Sequence, residues 1–146
     1  MSNNLKQLEG GRAAFAYQCV KDAQQAFGSN ERGLKGQKAY KSYAKKIPML
    51  IKTNGLGATF SYVLSKQKAE SDKKEYAYKL LHDKTAEWLG KEDKSYLLAG
   101  AEGDDLISRL ISLPSHRYRA VTVEVIALFT WLRRFADGLI DGEDED

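Results

Sequence analysis

Lys38-Ala39-Tyr40-Lys41-Ser42-Tyr43-Ala44-Lys45-Lys46-Ile47-Pro48-Met49-Leu50-Ile51-Lys52 is the stretch that decides the fold. At about 100° per residue, Lys38, Lys41, Lys45 and Lys52 fall within about 60° of one another, while Tyr40, Tyr43, Ala44, Ile47, Leu50 and Ile51 centre on the opposite side. A half-buried strand would alternate with period two, and this segment does not. It predicts an amphipathic helix from about Lys35 to Thr53, one face in a core and the other presenting lysines along roughly 21 Å at about 1.5 Å per residue. Pro48 lacks a backbone donor, so a kink or restart is expected near Lys46-Ile47.

The same spacing of three and four recurs on both sides. Leu5, Leu8, Phe15, Cys19, Val20, Ala23 and Phe27 predict a first helix from about Asn4 to Phe27, stopped by Gly28, with 28–33 as a loop. Thr53 to Gly57 reads as a turn, and Leu56, Thr59, Phe60, Val63 and Leu64 restart the helical pattern. A charged linker, Lys66 to Lys74, offers Ser71 or Asp72 as cap for a helix that ends at Leu89-Gly90. Lys91 to Gly103 reads as a loop with a turn of helix at Tyr96-Leu97-Leu98. Asp104 is the expected cap of a short helix carrying Leu106, Ile107, Leu110 and Ile111. Pro114 suits the start of a last helix, to about Ile140, which its apolar residues predict to be central and largely buried. The fold class is all-α: one bundle of about five to six helices over residues 1–138, then an acidic tail, 139–146, expected to be disordered.

A chain of 146 residues can bury a real core as one domain. Its single cysteine, Cys19, cannot form an internal disulfide, which fits a reducing, cytoplasmic compartment. The sequence shows no apolar run long enough for a membrane span and no signal-peptide hydrophobic region at Met1-Ser2-Asn3-Asn4. The net charge of +3 conceals an asymmetry. Six acids and no base occupy the last ten residues, so residues 1–136 hold all 23 bases against 14 acids, a body of +9. Between Glu31 and Glu70 lie 38 residues with nine bases and no acid. Such a single-sign stretch is a footprint for a polyanion such as a phosphate backbone, although a lysine face kept for solubility has the same composition.

Catalytic material is thin. His82 and His116 lack the partners of a zinc site, so neither metal nor cofactor is expected. Cys19 lies on an apolar helical stripe, where a thiolate is disfavoured. Gly55-Leu56-Gly57 is too short for a phosphate-cradling loop. Asp104 and Asp105, being adjacent, point about 100° apart and suit capping better than paired acid-base work. Arg109 and His116, with six residues between them, resemble the signature of metal-independent helical ribonucleases of the HEPN class, in which an arginine steadies the phosphorane and a histidine moves protons. That alternative, and a stand-alone nucleic-acid-binding module, are the competing functions.

Tyr40 to Gly57, followed by Thr59-Phe60-Ser61-Tyr62-Val63-Leu64-Ser65-Lys66, closely resembles the hallmark segment of the small subunit of the type III-B (Cmr) CRISPR effector complex. Glu9 to Lys21, Tyr78-Lys79-Leu80-Leu81 to Trp88-Leu89-Gly90, and Tyr118-Arg119-Ala120 to Trp131-Leu132-Arg133-Arg134-Phe135-Ala136 look like the family's as well. The resemblance implies a non-catalytic, all-helical subunit of an RNA-targeting antiviral effector. It implies a short filament of further copies beside backbone subunits, with a large subunit in the same assembly and guide and target RNA in the groove between them. Base pairing would read sequence while this chain supplies sequence-independent phosphate contacts. The candidates are Lys38, Lys41, Lys45, Lys46 and Lys52, with Asn54 at the turn and Arg133 and Arg134 on the last helix.

Overall fold

The computed structural model describes the backbone of residues 2–142 and the side chains of residues 11–142. Among these residues the regular structure is entirely helical: α1 (Ser2–Phe27), α2 (Glu31–Asn54), α3 (Leu56–Lys66), α4 (Tyr76–Leu89), a 3₁₀ segment (Glu92–Leu98), α5 (Leu106–Ile111) and α6 (Ser115–Leu139). The all-α expectation holds.

Two glycines explain why α2 starts earlier than its periodicity suggests. A Cβ on Gly33 would lie 2.4 Å from the carbonyl oxygens of Phe27 and Gly28, and one on Gly36 would lie 2.1 Å from the Phe27 ring. These residues serve close helix packing, not a turn. Asn30 caps the helix, its side chain accepting from the Gly33 N–H at 2.7 Å. The loop therefore shrinks from the expected 28–33 to 28–30, and Gly28 takes φ +78° to make it. Pro48 neither kinks α2 into two elements nor restarts it; the helix is continuous over Glu31–Asn54. The cost to the ladder is the donor that the Ala44 carbonyl would otherwise receive.

The turn between α2 and α3 is a single residue, Gly55 at φ +92°, rather than Thr53 to Gly57. Its N–H donates to the Ile51 carbonyl, and the Gly57 N–H donates to the Tyr118 hydroxyl at 2.8 Å, fastening the start of α3 to α6. α4 begins at Tyr76, later than a Ser71 or Asp72 cap would place it. Asp72 instead faces Arg32 at 3.5 Å across the surface. The cap of α5 is Asp105, not Asp104: its side chain accepts from the Ser108 N–H at 2.8 Å, in a reciprocal box with the Ser108 hydroxyl.

The hub is α2, which packs against α1, α3, α4 and α6. Its Tyr40, Tyr43, Ala44, Ile47 and Ile51 are buried, as the wheel predicts. α6 is less enclosed than expected. Val121, Val125, Leu128, Phe129, Leu132 and Ala136 are buried, but Val123 is 68% exposed and Ile126, Ala127 and Trp131 are only half-buried. Two features escaped the sequence pattern. Leu97, Leu98 and the side chain of Lys94 are buried in the 3₁₀ segment, where the pattern predicts a polar loop with one helical turn. Glu124 is buried on α6, its carboxylate accepting from Arg12 Nε at 2.9 Å, Arg12 Nη2 at 3.0 Å and Trp88 Nε1 at 3.0 Å.

The packed chain continues past Gly138: Ile140 is buried, and backbone carbonyls as far as Gly142 accept hydrogen bonds. The expectation of a disordered tail otherwise falls on 143–146, outside the described residues.

Candidate nucleic-acid interface

The lysines of α2 share one helix but not one environment. Lys41 Nζ donates to the carbonyls of Ile140 at 3.2 Å and Gly142 at 2.8 Å, at the C-terminal end of α6. A cation there also meets the negative end of the helix dipole. Lys38 runs beside it, its Cε only 2.6 Å from where a Cβ on Gly142 would stand. Lys45, one turn on, is half-buried.

Lys46 turns the other way. Its ammonium donates to the hydroxyls of Tyr62 at 3.1 Å and Tyr78 at 3.4 Å, and stands 5.1 Å from the Tyr62 ring centroid. Hydrogen bonds from Lys46 and Tyr78 lower the Tyr62 pKa, whereas burial, reinforced by Tyr62, raises that of Tyr78. Tyr78 in turn stacks on Tyr43 with centroids 3.8 Å apart. A shallow cleft of about 510 Å³ between α2 and α3 joins Lys46 to Leu50, Asn54, Ala58, Thr59 and Tyr62. Asn54, placed by the one-residue turn, therefore belongs with Lys46.

Lys52 belongs with the arginines. It is exposed and lines a cleft of about 350 Å³ between α2 and α6, together with Pro48, Phe129, Thr130, Arg133 and Arg134; Asp137 sits at the rim as its one acid. The guanidinium of Arg134 lies 5.4 Å from the Trp131 ring centroid, and Trp131 stacks on Phe135 at 5.8 Å. Three cations from two helices thus line one open concavity. The structure brings together Lys52, Arg133 and Arg134, sets Lys46 and Asn54 in a second cleft, and places Lys38 and Lys41 at the end of α6. The charge pattern does not name Tyr62, which lines the Lys46 cleft, or Trp131, which lies against Arg134; Trp131 is detectable from its i, i+3 spacing to Arg134.

Catalytic alternatives gain nothing. Burial pushes the Cys19 thiol up to about 12. Among the described residues there is no group of three or more His, Cys, Asp or Glu arranged for a metal ion. His116 lines a cleft of about 140 Å³ with Tyr96, Leu97, Arg117 and Ala120, and Arg109, on α5, does not line it.

A family model for CRISPR-associated protein Cas_Cmr5 matches residues 8–139, nine-tenths of the chain. The chain belongs to the Cmr5 family. A curated Cmr5 relative, the CRISPR system Cmr subunit Cmr5 of Thermus thermophilus, is 30% identical over 129 residues, covering 88% of this chain and 92% of the relative. The crystal structure of a CRISPR-associated Cmr5 family protein, also from Thermus thermophilus, superposes with a TM-score of 0.63 at 28% identity, covering 89% of this chain and 94% of that one. The match takes in Lys38 to Asn54 and both arginines, so every candidate contact lies inside the Cmr5 domain. No helix among the described residues is long and apolar enough to cross a membrane.

Proposed function

We propose that this chain is a non-catalytic small subunit of a Cmr effector complex in CRISPR defence, packing against the other subunits and further copies of itself and holding RNA by its phosphates. The observation that carries the assignment is the Cmr5 family match over residues 8–139. The Thermus thermophilus relative is described as a Cmr subunit of a CRISPR system, and that role is the one carried over. The cleft of Lys52, Arg133 and Arg134 supports the RNA half of the proposal, because exposed cations on a rigid two-helix frame attract a backbone without reading bases. Lys46 and Asn54 offer a second contact beside it. Weak binding by each copy becomes firm when several copies meet one strand.

Co-expression with the remaining Cmr proteins tests the assembly: the tagged chain is expected to retain them and a guide RNA of defined 5′ sequence, and a chain that purifies alone refutes it. For the RNA contact, Lys52→Ala, Arg133→Ala and Arg134→Ala combined are expected to weaken binding equally across unrelated sequences. With three fewer cations neutralising phosphates, the slope of log affinity against log salt should shrink by about 2. An unchanged slope refutes the cleft as a backbone contact.

A further inference from the structure

The end of the described chain is fastened to the lysine face of α2. Gln24 Nε2 donates to the Leu139 carbonyl at 2.9 Å, Lys41 Nζ reaches the carbonyls of Ile140 and Gly142, and the buried Ile140 side chain anchors the segment. Gly142 lies so close against the Lys38 stem that a Cβ there would collide with it. The two lysines that composition marks most plainly for a polyanion are therefore already met by the chain's own carboxyl-terminal segment. After the exposed Asp141 and Gly142 comes Glu143-Asp144-Glu145-Asp146, four acids in succession. Four residues span at most about 14 Å. Lys38 and Lys45 lie only about 4.5 and 6 Å along the α2 axis from Lys41, within that reach. The family match stops at residue 139, so the segment lies outside what the family model describes.

We propose that residues 141–146 dock on the Lys38–Lys41 face of α2 as a tethered mimic of a phosphate backbone. The tether at Gly142 gives these carboxylates a high effective concentration at that face. Given the RNA-binding reading above, on which this consequence rests, the segment competes with RNA there and leaves the Lys52, Arg133 and Arg134 cleft as the uncontested entry point.

The test compares the parent chain, a neutralised tail (E143Q, D144N, E145Q and D146N together), K38Q and K41Q with the native tail, and K38Q and K41Q with the neutralised tail. Anisotropy of a labelled 30-nucleotide oligouridine is read at about 50 mM and 300 mM salt. Neutralising the tail is expected to tighten binding roughly three- to tenfold at low salt, with the gain fading at high salt. In the K38Q/K41Q background the gain should vanish. Where the parent binds the oligouridine, no gain, or an equal gain in that background, overturns the proposal. Carbodiimide cross-linking of the parent without RNA is expected to join residues 143–146 to Lys38 or Lys41; links scattered over unrelated lysines, or none, overturn it too. Specific links in a chain that binds no oligouridine would leave the docking standing and remove the RNA-binding reading instead.

Discussion

Glu124→Gln is expected to cost this fold about 3 kcal/mol. The carboxylate is nearly enclosed, its side chain 7% exposed and that of Arg12 14%, and it accepts two hydrogen bonds from one guanidinium and one from the Trp88 indole. Glutamine keeps the shape but can accept on one oxygen only, and its amide must point N–H groups at other N–H groups. The largely enclosed Arg12 cation then loses the charge of Glu124. Removing one partner of a buried ion pair costs roughly 3–5 kcal/mol, and the retained acceptor together with the partial exposure of Arg12 puts this case at the lower end. At roughly 2–4 °C per kcal/mol for a domain of this size, Tm should fall by about 6–12 °C. Burial pushes the Glu124 carboxyl up, but hydrogen bonds from Arg12 and Trp88, with the charges of Arg12 and Lys94, pull it below the ordinary value of 4.5. A carboxyl depressed by folding stabilises the folded state above its unfolded pKa and loses that contribution as pH falls through the folded value. The Tm gap between parent and variant should accordingly be level from pH 8 to 6 and narrow below about 4.5. Differential scanning calorimetry across that range reads both quantities. A Tm within about 2 °C of the parent, or a gap that does not narrow in acid, would refute the reasoning. Arg12→Met combined with Glu124→Leu should recover only part of the stability, since the ion pair is removed whole but the buried Trp88 N–H loses its acceptor.

Two further outcomes follow from packing. Gly36→Ala should lower stability by about 1–3 kcal/mol, because its Cβ would stand 2.1 Å from the Phe27 ring, and Phe27→Leu in the same chain should return part of it in urea unfolding. Cys19, buried and with its thiol held up at about 12, should resist iodoacetamide at pH 8 in the native protein and react once urea unfolds it; rapid native labelling would contradict its place in the core.

Much of the architecture was legible because α2 obeys a simple rule: aromatic and aliphatic residues on one side, lysines on the other. What escaped was set by contacts between elements. Gly33 and Gly36 look like loop residues until Phe27 is seen lying across them. Pro48 looks like a break, but the packing of α2 on its neighbours outweighs the missing ladder bond. Lys94 looks like a solvated base, yet it lies 4.0 Å from the Trp88 ring centroid because a 3₁₀ segment folds it inward. The candidate site was half legible. The charge pattern named the cations, but only tertiary structure could sort them, sending Lys52 to the arginines across on α6, Lys46 to two tyrosine hydroxyls and Lys41 to the end of another helix. Wheel geometry assigns faces of one helix and carries no information about what the neighbouring helix brings.

The central position of α2 has a consequence for motion. A helix packed on four others cannot detach without exposing most of the core, so its backbone amides should open only with global unfolding, while α5 and the 3₁₀ segment can fray alone. The cationic side chains of α2 are thereby mounted on the most slowly opening part of the molecule. Their anchor points keep a fixed pitch along the axis, so the three surroundings that receive Lys41, Lys46 and Lys52 are held at fixed spacing from one another.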